Sequence, residues 1–323
     1  MKLIIQIPCL NEAETLPITL AELPKEIDGI DTIEILIIDD GSKDRTADIA
    51  GEHGAHHVLR FNRNRGLAQA FLAGLDRCTQ LGADIVVNTD ADNQYRGSDI
   101  PRLVRPILDG QADIVIGSRD MKSISHFSFI KKKLQKLGSW LVSRLAQTSV
   151  PDTTSGFRAF SREAILRLNV LSHFSYTLET IIQAGKMRLK IESLPITVNG
   201  KLRESRLAVH TWSYVKESAA TIVRIYVMYE PLKTFMYIGF LIMIASILVA
   251  ASYFVLPFYS SPLLPLLIGG VLFLLSMLII ILGIIADLIS ANRKLNEEIL
   301  YRIRKQRIEE RHRSEKPEYS SKF

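Results

Sequence analysis

Two carboxylates stand one residue apart in the stretch NTDADNQY, residues 88–95, directly after the apolar run ADIVV. If a strand runs through them, Asp90 and Asp92 lie on the same side, because side chains alternate along a strand. Carboxylates that close repel each other unless a cation or water separates them. Their oxygens and that of Gln94 suit Mg²⁺ or Mn²⁺. A polar turn after a strand is the alternative, and the spacing alone favours the turn.

The elements that must position these residues alternate between strand and helix over roughly the first 120 residues, which is typical of a parallel α/β sheet. Apolar runs predict five strands, at 2–8, 32–40, 56–61, 83–90 and 112–119. Helical patterns between them span 14–23, 46–53, 66–81 and 100–108. No G-x-G-x-x-G follows the first strand, so a dinucleotide-binding form of this fold is disfavoured.

Polar clusters end several of the predicted strands. They are Asn11-Glu12, Asp39-Asp40-Gly41-Ser42, Asp90-Ala91-Asp92 and Ser118-Arg119. Ligands of open α/β sheets bind at the carboxyl ends of the strands, so these clusters are expected to meet at one edge. Acids for a cation and arginines for phosphate suit a sugar nucleotide, whose diphosphate needs neutralisation. Asp39 or Asp40 could bind a base or a ribose. Arg119 could bind a phosphate, with an ordinary surface arginine as the alternative.

Two long uncharged segments, Thr234–Leu256 and Leu263–Ile285, lie near the carboxyl end, and the second continues to Ile289 past a single acid. Each reaches the ~20 apolar residues that cross a bilayer. The short uncharged link PFYSSP predicts a hairpin between them. Basic residues flank both of its ends: Lys216, Arg224, Lys233, Arg293, Lys294, Arg302, Arg304, Lys305 and Arg307. The positive-inside rule therefore predicts a multi-pass protein of the cytoplasmic membrane, with the first domain and both termini in the cytoplasm.

Composition and charge bear on the compartment and on the partners. The start MKLIIQIPCLNEAE becomes polar too early for a signal peptide. Cys9 and Cys78 both fall in the part expected to be cytoplasmic, where reduced thiols are the default. A net charge of +6 could indicate nucleic acid, but much of the excess lies beside the membrane segments. Anionic lipid headgroups are the simpler partner there, so no nucleic acid is expected.

Further stretches predict helices around the membrane. Residues 127–145 place apolar side chains at helical spacing among four lysines between 131 and 136. Such a basic amphipathic helix suits a membrane interface, although a surface helix packed on the sheet fits the segment equally well. Trp212–Tyr229 predicts a second interfacial helix. Arg293–Arg313 alternates in charge. A solvated cytoplasmic helix and a contact between copies of the chain, in a homo-oligomer, are both open interpretations of it.

These patterns divide the chain into four parts. They are a cytoplasmic α/β domain at 1–211, an interfacial helix at 212–232, a transmembrane hairpin at 233–289 (about 234–256 and 263–287), and a charged helical tail at 290–323.

Six motifs follow one another between Ile7 and Ser161: IPCLNEAETLP, IIDDGSKDRTADIA, NRGLAQAFLAGL, NTDADNQY, IVIGSR and DTTSGFRAFS. In this order they resemble the family 2 glycosyltransferases with the GT-A fold. The resemblance is strongest to the branch that makes polyprenyl-phosphate sugars, such as dolichol-phosphate mannose synthases and bacterial undecaprenyl-phosphate glucosyltransferases. NGKLRESRL and IVRIYVMYEPLKTF extend the similarity to about Phe235. The resemblance implies a mostly parallel α/β catalytic domain, followed by interfacial helices and a two-helix transmembrane hairpin.

The implied function is inverting transfer of a hexose from a UDP- or GDP-hexose to a membrane polyprenyl phosphate, assisted by Mg²⁺ or Mn²⁺. The product would serve modification of cell-envelope glycans or glycolipids. Transfer to another lipid or saccharide acceptor, and a non-catalytic membrane scaffold that keeps the fold, are the alternatives. A processive polysaccharide synthase is disfavoured because the sequence has no QxxRW motif.

The resemblance also assigns residues to the donor. Those that would line the nucleotide pocket are Pro8, Asn11, Glu12, Asp39, Asp40 (on the base), Arg65, Gly66 and, at the diphosphate, Asp90. Those that would hold the metal are Asp90, Asp92 and Gln94, with Asp92 among the catalytic residues.

On the acceptor side, the resemblance places Arg119 at the acceptor phosphate and forms a loop from Asp152, Ser155, Gly156 and Arg158. Lys131 falls where such enzymes often carry an arginine for the lipid phosphate, and Gln135 falls where a serine is common. Arg203 and Arg206, with Ser205, would belong to a loop that closes over the donor. The predicted set that binds the acceptor phosphate consists of Arg119, Lys131, Arg158, Arg203 and Arg206. Because a lipid phosphate is already anionic, Asp152 would orient the acceptor rather than take a proton.

Overall fold

The structure, a computed structural model, describes residues 1–119, 129–170, 176–200, 219–220, 223–224, 226–255 and 263–315. Side chains are described from residue 138 in the helix that begins at 129, and up to residues 253 and 310 in the last two helices. The chain forms two compact units, one made of Met1–Ile222 with Leu300–Phe323 and the other of Val223–Ile299.

The first unit contains a seven-stranded sheet in the order β3-β2-β1-β4-β6-β5-β7. Its strands are β1 (Lys2–Cys9), β2 (Thr32–Asp39), β3 (His57–Arg60), β4 (Ile85–Asn88), β5 (Ile114–Arg119), β6 (Arg158–Ser161) and β7 (Ile191–Ile196). β6 runs antiparallel to β4 and β5, and the other neighbours pair in parallel. The predicted mostly parallel sheet is therefore confirmed.

Seven helices of this unit lie within the described residues. They are α1 (Leu16–Ala21), α2 (Thr46–Glu52), α3 (Leu67–Gln80), α4 (Ile100–Leu108), α5 (Phe129–Ala146), α6 (Arg162–Arg167) and α7 (Tyr176–Lys186). A short 3₁₀ turn, Gly97–Asp99, precedes α4. The first four match the four predicted helices to within a few residues at each end.

The central strands are apolar along their length because helices cover both faces of a parallel sheet. In β1, Leu3, Ile5 and Ile7 are fully buried. Gln6, the fully buried polar side chain of this strand, is paired: its Nε2 donates to Asn88 Oδ1 at 3.0 Å. A buried amide that is hydrogen-bonded in this way avoids the cost of an unmet donor. β1 therefore lies at the centre of the core, and the loop that follows it is positioned at the edge of the sheet where the candidate site lies.

Two strands were not predicted from the sequence. β6 has only four residues, RAFS, and opens on the buried Arg158, so it shows no apolar run. β7, IESLPI, contains Pro195 and lies at the edge of the sheet, the usual place for a strand proline. Both segments form strands because they pair with β5 in the folded protein.

The second unit is built around two long helices, α8 (Pro231–Val255) and the part of α9 (Leu263–Glu315) that ends at Ile299. By length and composition both could cross a membrane, and they contain the two predicted spans except for Leu256, which lies outside the described residues. Large apolar side chains point outward from them: Leu241 is 70% exposed and Leu274 is 68% exposed. The core helix of a soluble protein would bury such residues, so these surfaces favour lipid contact. The predicted link at 257–262 lies outside the described residues.

α8 and α9 pack antiparallel through small residues. Ser246 Oγ donates to the Gly269 carbonyl at 2.8 Å, and Ser276 Oγ donates to the Gly239 carbonyl at 2.9 Å. Small residues and serine hydrogen bonds are the usual means by which helices associate in lipid.

α5 corresponds to the predicted basic amphipathic helix, although Phe127 and the side chains of its lysines lie outside what the structure describes. In its described part Val142 is buried, whereas Trp140 is 59% exposed. One face therefore packs on the protein and the other is open. Its membrane placement stays a prediction, as does that of Trp212–Tyr229, most of which is not described.

The charged end of α9 docks on its own chain. Tyr301 Oη donates to Glu163 Oε2 at 3.0 Å. Arg304 donates to the Leu168 carbonyl at 3.1 Å and to Asp76 Oδ1 at 3.2 Å. This intrachain docking is an arrangement that the sequence did not predict, and a contact between copies of the chain stays a prediction.

Candidate active site

The loops after β1 and β2 form one connected edge. The Asn11 backbone N–H donates to Ser42 Oγ, and Asn11 Oδ1 accepts from the Lys43 N–H at 2.8 Å. The Glu12 N–H donates to Thr46 Oγ1 at 2.9 Å. Asn11 has φ of 53°, a left-handed conformation that asparagine tolerates better than most residues. Asn11 and Glu12 thus shape this edge, and Pro8 lies in β1 just before them.

Asp39 and Asp40 follow each other at the end of β2. Asp39 is fully buried, and its Oδ1 accepts from the Ser42 N–H at 2.8 Å while Oδ2 lies 3.1 Å from Arg60 Nε. Asp40 accepts two backbone N–H groups, those of Arg65 at 2.7 Å and Gly66 at 2.9 Å. Asp40 therefore holds the loop before α3. This structural role is separate from the contact with the nucleotide base that the resemblance implies.

The loop that Asp40 holds presents an exposed arginine. Gly66 has φ of 91°, a conformation that favours glycine because it lacks Cβ. The Arg65 guanidinium lies 4.8 Å from the centre of the Phe61 ring. The structure thus gathers the predicted donor residues of the first two strands along the same edge.

Asp90 and Asp92 lie in a turn beyond β4, because this strand ends at Asn88. Strand alternation therefore does not place them on one side, and the prediction that the strand extends through Asp90 is wrong. Both are partly exposed, and the Gln94 N–H donates to Asp92 Oδ1 at 3.1 Å. Among the residues that the structure describes, no three His, Cys, Asp or Glu cluster as a metal site.

This donor set nevertheless fits a cation that is shared with a substrate. Mg²⁺ and similar ions are commonly held by one or two carboxylates, with phosphates of the substrate and waters as the remaining ligands. Asp90 and Asp92 supply two carboxylates at the edge where a ligand of this fold would lie.

Two residues that the sequence did not indicate hold the turn after Asp92. Asn93 Nδ2 donates to Glu22 Oε1 at 3.1 Å. The Asn199 N–H donates to the Gln94 carbonyl at 2.9 Å, and Asn199 Oδ1 accepts from Arg96 Nε at 2.9 Å. Glu22 and Asn199 are far from this turn in sequence, so no local signal could have found them.

Arg119, the last residue of β5, is held by a buried carboxylate. Its Nε and Nη2 donate to the two oxygens of Asp152, at 2.7 and 3.2 Å, and Nη2 also donates to Thr154 Oγ1 at 3.0 Å. Within the described part of the chain its Nη1 makes no hydrogen bond. Burial alone would raise the pKa of Asp152, but the hydrogen bonds and charge of Arg119 outweigh it and hold that pKa below its ordinary value.

Arg158 is placed differently from the expectation. It is fully buried, and its guanidinium donates to four protein acceptors: the carbonyls of Thr153, Ser155 and Thr177, and the hydroxyl of Thr180. Burial lowers its pKa to about 10. The geometry gives Arg158 a structural role that joins the acceptor-side loop to α7, and it does not support contact with an acceptor phosphate.

Gly156 brings the acceptor-side loop against Asp90. A Cβ on this glycine would lie 2.9 Å from Tyr176 Oη and 3.0 Å from Asp90 Oδ1. Asn88 Nδ2 donates to the Gly156 carbonyl at 2.8 Å and to Tyr176 Oη at 3.1 Å. Ser155, its neighbour, is fully buried. The acceptor-side loop therefore lies close to Asp90, one of the predicted metal ligands.

Several residues of the predicted phosphate-binding set and of the predicted loop over the donor fall outside the part of the chain that the structure describes. The side chains of Lys131 and Gln135, and all of Arg203, Ser205 and Arg206, lie outside the described residues. Their predicted contacts with phosphate stay predictions.

Curated relatives of the chain act on polyprenyl phosphates. The undecaprenyl-phosphate mannosyltransferase of Micrococcus luteus is 28% identical over 219 residues, which cover 64% of this chain and 88% of the relative. The UDP-N-acetylglucosamine–dolichyl-phosphate N-acetylglucosaminyltransferase of Methanococcus voltae is 34% identical over 187 residues, or 50% of this chain and 73% of the relative. The dolichol-phosphate mannosyltransferase of Pyrococcus furiosus is 32% identical over 218 residues, which cover 64% of this chain and 59% of the relative.

Among solved structures, glucosyl-3-phosphoglycerate synthase of Mycobacterium tuberculosis, in complex with Mn²⁺, UDP and glucosyl-3-phosphoglycerate, superimposes with a TM-score of 0.54. The alignment covers 70% of this chain and 78% of that one at 22% identity, so the likeness concerns the fold. Residues 4–168, slightly more than half of the chain, match the family described as Glycosyl transferase family 2. The chain belongs to this family and has the GT-A fold, and it is a glycosyltransferase.

Proposed function

We propose that the chain transfers a hexose from a nucleotide sugar to a polyprenyl phosphate at the membrane surface. The observation that carries this proposal is the arginine at the end of β5. Arg119 is fixed by Asp152 and experiences the negative charge of Asp90, and among the described residues its Nη1 has no partner and could bind a ligand. A phosphate-binding cation thus stands beside the carboxylates that suit a donor diphosphate. The named relatives and the two apolar helices support a lipid as the acceptor.

On the donor side, Asp90 and Asp92, with Gln94, would hold Mg²⁺ or Mn²⁺ against the diphosphate. When bound, the ion stabilises the charge that develops on the leaving nucleotide. The Mn²⁺ and UDP complexes of the structural neighbour support this assignment. Asp39, Asp40 and the loop at Arg65 would surround the nucleotide, which is a UDP or GDP.

On the acceptor side, Arg119 would orient the lipid phosphate for in-line attack on the anomeric carbon, which inverts its configuration. The nucleophile is already anionic at neutral pH, so positioning matters more than proton removal. Asp152 is poorly suited to act as a base, because its oxygens already accept from Arg119 and Thr154 and its pKa is lowered. Its role would be to hold Arg119.

The membrane arrangement follows from the charges. We place both termini and the catalytic domain in the cytoplasm, with α8 and α9 crossing the membrane, because basic residues flank both spans. The exposed Trp140 on α5 supports an interfacial position for this helix, since tryptophan is enriched at membrane surfaces.

Kinetics of Arg119→Ala test this function. Loss of a hydrogen bond to a charged group costs ~1.5–3 kcal/mol, so the KM for undecaprenyl phosphate should rise by about 10- to 100-fold with the donor KM nearly unchanged. Arg102→Ala, which removes an ion pair to Asp99 at 2.8 Å, is the matched control. A variant that handles the lipid like the wild type but loses the donor would contradict the assignment.

A further inference from the structure

Two elements far apart in the sequence hold the turn of the predicted metal ligands. The first is α1, whose Thr19 Oγ1 donates to the Ala91 carbonyl at 3.0 Å. Ala91 lies between Asp90 and Asp92, and both it and Thr19 are buried. The same hydroxyl is 3.3 Å from the Thr15 carbonyl, so the contact with Ala91 is the shorter one. α1 therefore holds the peptide group that leads into Asp92.

The second element is the segment after β7, which contacts the turn through Asn199. Its Nδ2 donates to the Asn93 carbonyl at 3.1 Å and to Glu22 Oε2 at 3.2 Å. Its backbone N–H donates to the Gln94 carbonyl at 2.9 Å, and its Oδ1 accepts from Arg96 Nε at 2.9 Å. A side-chain amide has two hydrogens and a carbonyl oxygen, so one asparagine can make these bonds together. Asn199 thus binds three residues of the turn.

The bond from Asn199 reaches the carboxylate of Asp92 through a single peptide group. The Asn93 carbonyl, which accepts from Asn199, and the Gln94 N–H belong to the same planar peptide unit. This N–H donates to Asp92 Oδ1 at 3.1 Å. Asn199 therefore orients the group that in turn orients the Asp92 carboxylate.

Glu22, which directly follows α1, joins the two attachments. Its Oε1 accepts from Asn93 Nδ2 at 3.1 Å, while its Oε2 accepts from Asn199. A Cβ on Gly97 would overlap the Glu22 carbonyl, so the end of the turn packs directly against the end of α1. The turn is thus fixed by α1 on one side and by Asn199 on the other.

We propose that Thr19 and Asn199 are positioning residues for Asp92 and set the affinity for a divalent ion at this turn. The inference rests on the proposed function, in which Asp90, Asp92 and Gln94 hold the ion. Carboxylates on one short turn repel each other when no cation is bound, so a backbone that is fixed in advance lowers the cost of gathering them around the ion. Residues behind the ligands of a metal commonly change its affinity by about 10- to 100-fold when they are mutated.

Thr19→Val and Asn199→Ala test the two contacts. Thr19→Val keeps the shape of the side chain and removes the hydroxyl, whereas Asn199→Ala removes the amide and keeps the backbone N–H. Mn²⁺ binding to the full chain, with UDP and separately with GDP, is measured from the free-ion signal in electron paramagnetic resonance. Each variant is expected to bind Mn²⁺ about tenfold more weakly with the nucleotide that supports binding by the wild type.

Two further variants serve as controls for the loss of a threonine hydroxyl. Thr19→Ser keeps the hydroxyl and should bind Mn²⁺ like the wild type. Thr79→Val removes a hydroxyl that donates to the Leu75 carbonyl at 2.9 Å within α3, away from the turn, and should also leave Mn²⁺ binding unchanged.

The outcomes separate this inference from the function on which it rests. If the wild type binds Mn²⁺ with a nucleotide and either Thr19→Val or Asn199→Ala binds it equally well, the inference is overturned, whether or not the melting temperature of that variant falls. A wild type that binds no Mn²⁺ with UDP or GDP overturns the proposed metal role and the inference with it.

Discussion

Replacing Asp152 by asparagine tests what holds the arginine at the acceptor side. The Asp152 carboxylate is fully buried, and its two oxygens accept from Arg119, whose side chain is 13% exposed. Asp152→Asn removes the charge and turns one acceptor into a donor that faces the guanidinium. Breaking a buried ion pair from one side costs ~3–5 kcal/mol, because the remaining charge is uncompensated. Since Arg119 still reaches solvent, we expect a loss of about 3 kcal/mol in the free energy of unfolding.

Urea unfolding measures this loss, and steady-state kinetics measure its functional consequence. Because Arg119 is no longer held, the kcat/KM for the lipid phosphate should fall by about 100-fold, while the donor KM stays nearly unchanged. Asp99→Asn, which breaks the ion pair to Arg102, is the control for loss of an aspartate–arginine pair away from the acceptor side.

The pH dependence distinguishes an orienting aspartate from a base. The folded state holds the pKa of Asp152 below its unfolded value. The ion pair therefore stabilises the fold above the ordinary aspartate range, and this contribution is lost as pH falls through the lower folded value. The stability difference between wild type and variant should stay constant from neutral pH to about pH 4 and shrink below it. Unchanged stability, with an activity loss confined to an acidic limb of the wild-type rate profile, would show that Asp152 acts as a base and does not hold Arg119.

Three further experiments, on variants or fusions, test the metal site, the membrane topology and the basic helix α5 separately. Asp92→Asn should lower the rate by orders of magnitude with an intact fold, and full wild-type activity in excess chelator would contradict the metal role. Reporters fused to the carboxyl terminus and within PFYSSP should report opposite compartments; a carboxyl terminus outside the cytoplasm would overturn the topology. Neutralising Lys131, Lys132 and Lys133 should raise the KM for the lipid phosphate, since each cation near an anionic surface contributes ~1 kcal/mol. Loss of nucleotide affinity instead would place that helix on the donor side.

The parallel part of the sheet was predictable because its strands are continuous apolar runs. β1 and β4 show this plainly: their buried residues stand together in the sequence. α7 was not predictable in the same way. Every residue from Tyr176 to Ala184 is buried, including the polar Glu179 and Gln183, so the helix shows no exposed polar face that would mark its period.

Some residues of the candidate site could likewise be predicted from the sequence, and others could not. Asp90 and Arg119 could be found because the ends of parallel strands meet at one edge. Tyr176 and Asn199 could not, since they reach the site through packing of elements far apart in the sequence. Arg158 was misplaced because a motif does not distinguish an arginine that binds a ligand from one that is buried among carbonyls.

Mass spectrometry of the lipid product is the direct test of sugar transfer to a polyprenyl phosphate. The purified full chain is incubated with undecaprenyl phosphate, Mn²⁺ and, one at a time, UDP- and GDP-hexoses. The proposed function predicts a lipid phosphate heavier by one hexosyl group with at least one donor, and no such product from Arg119→Ala. Transfer of sugar to a soluble acceptor such as phosphoglycerate, with none to the lipid from any donor, would contradict it.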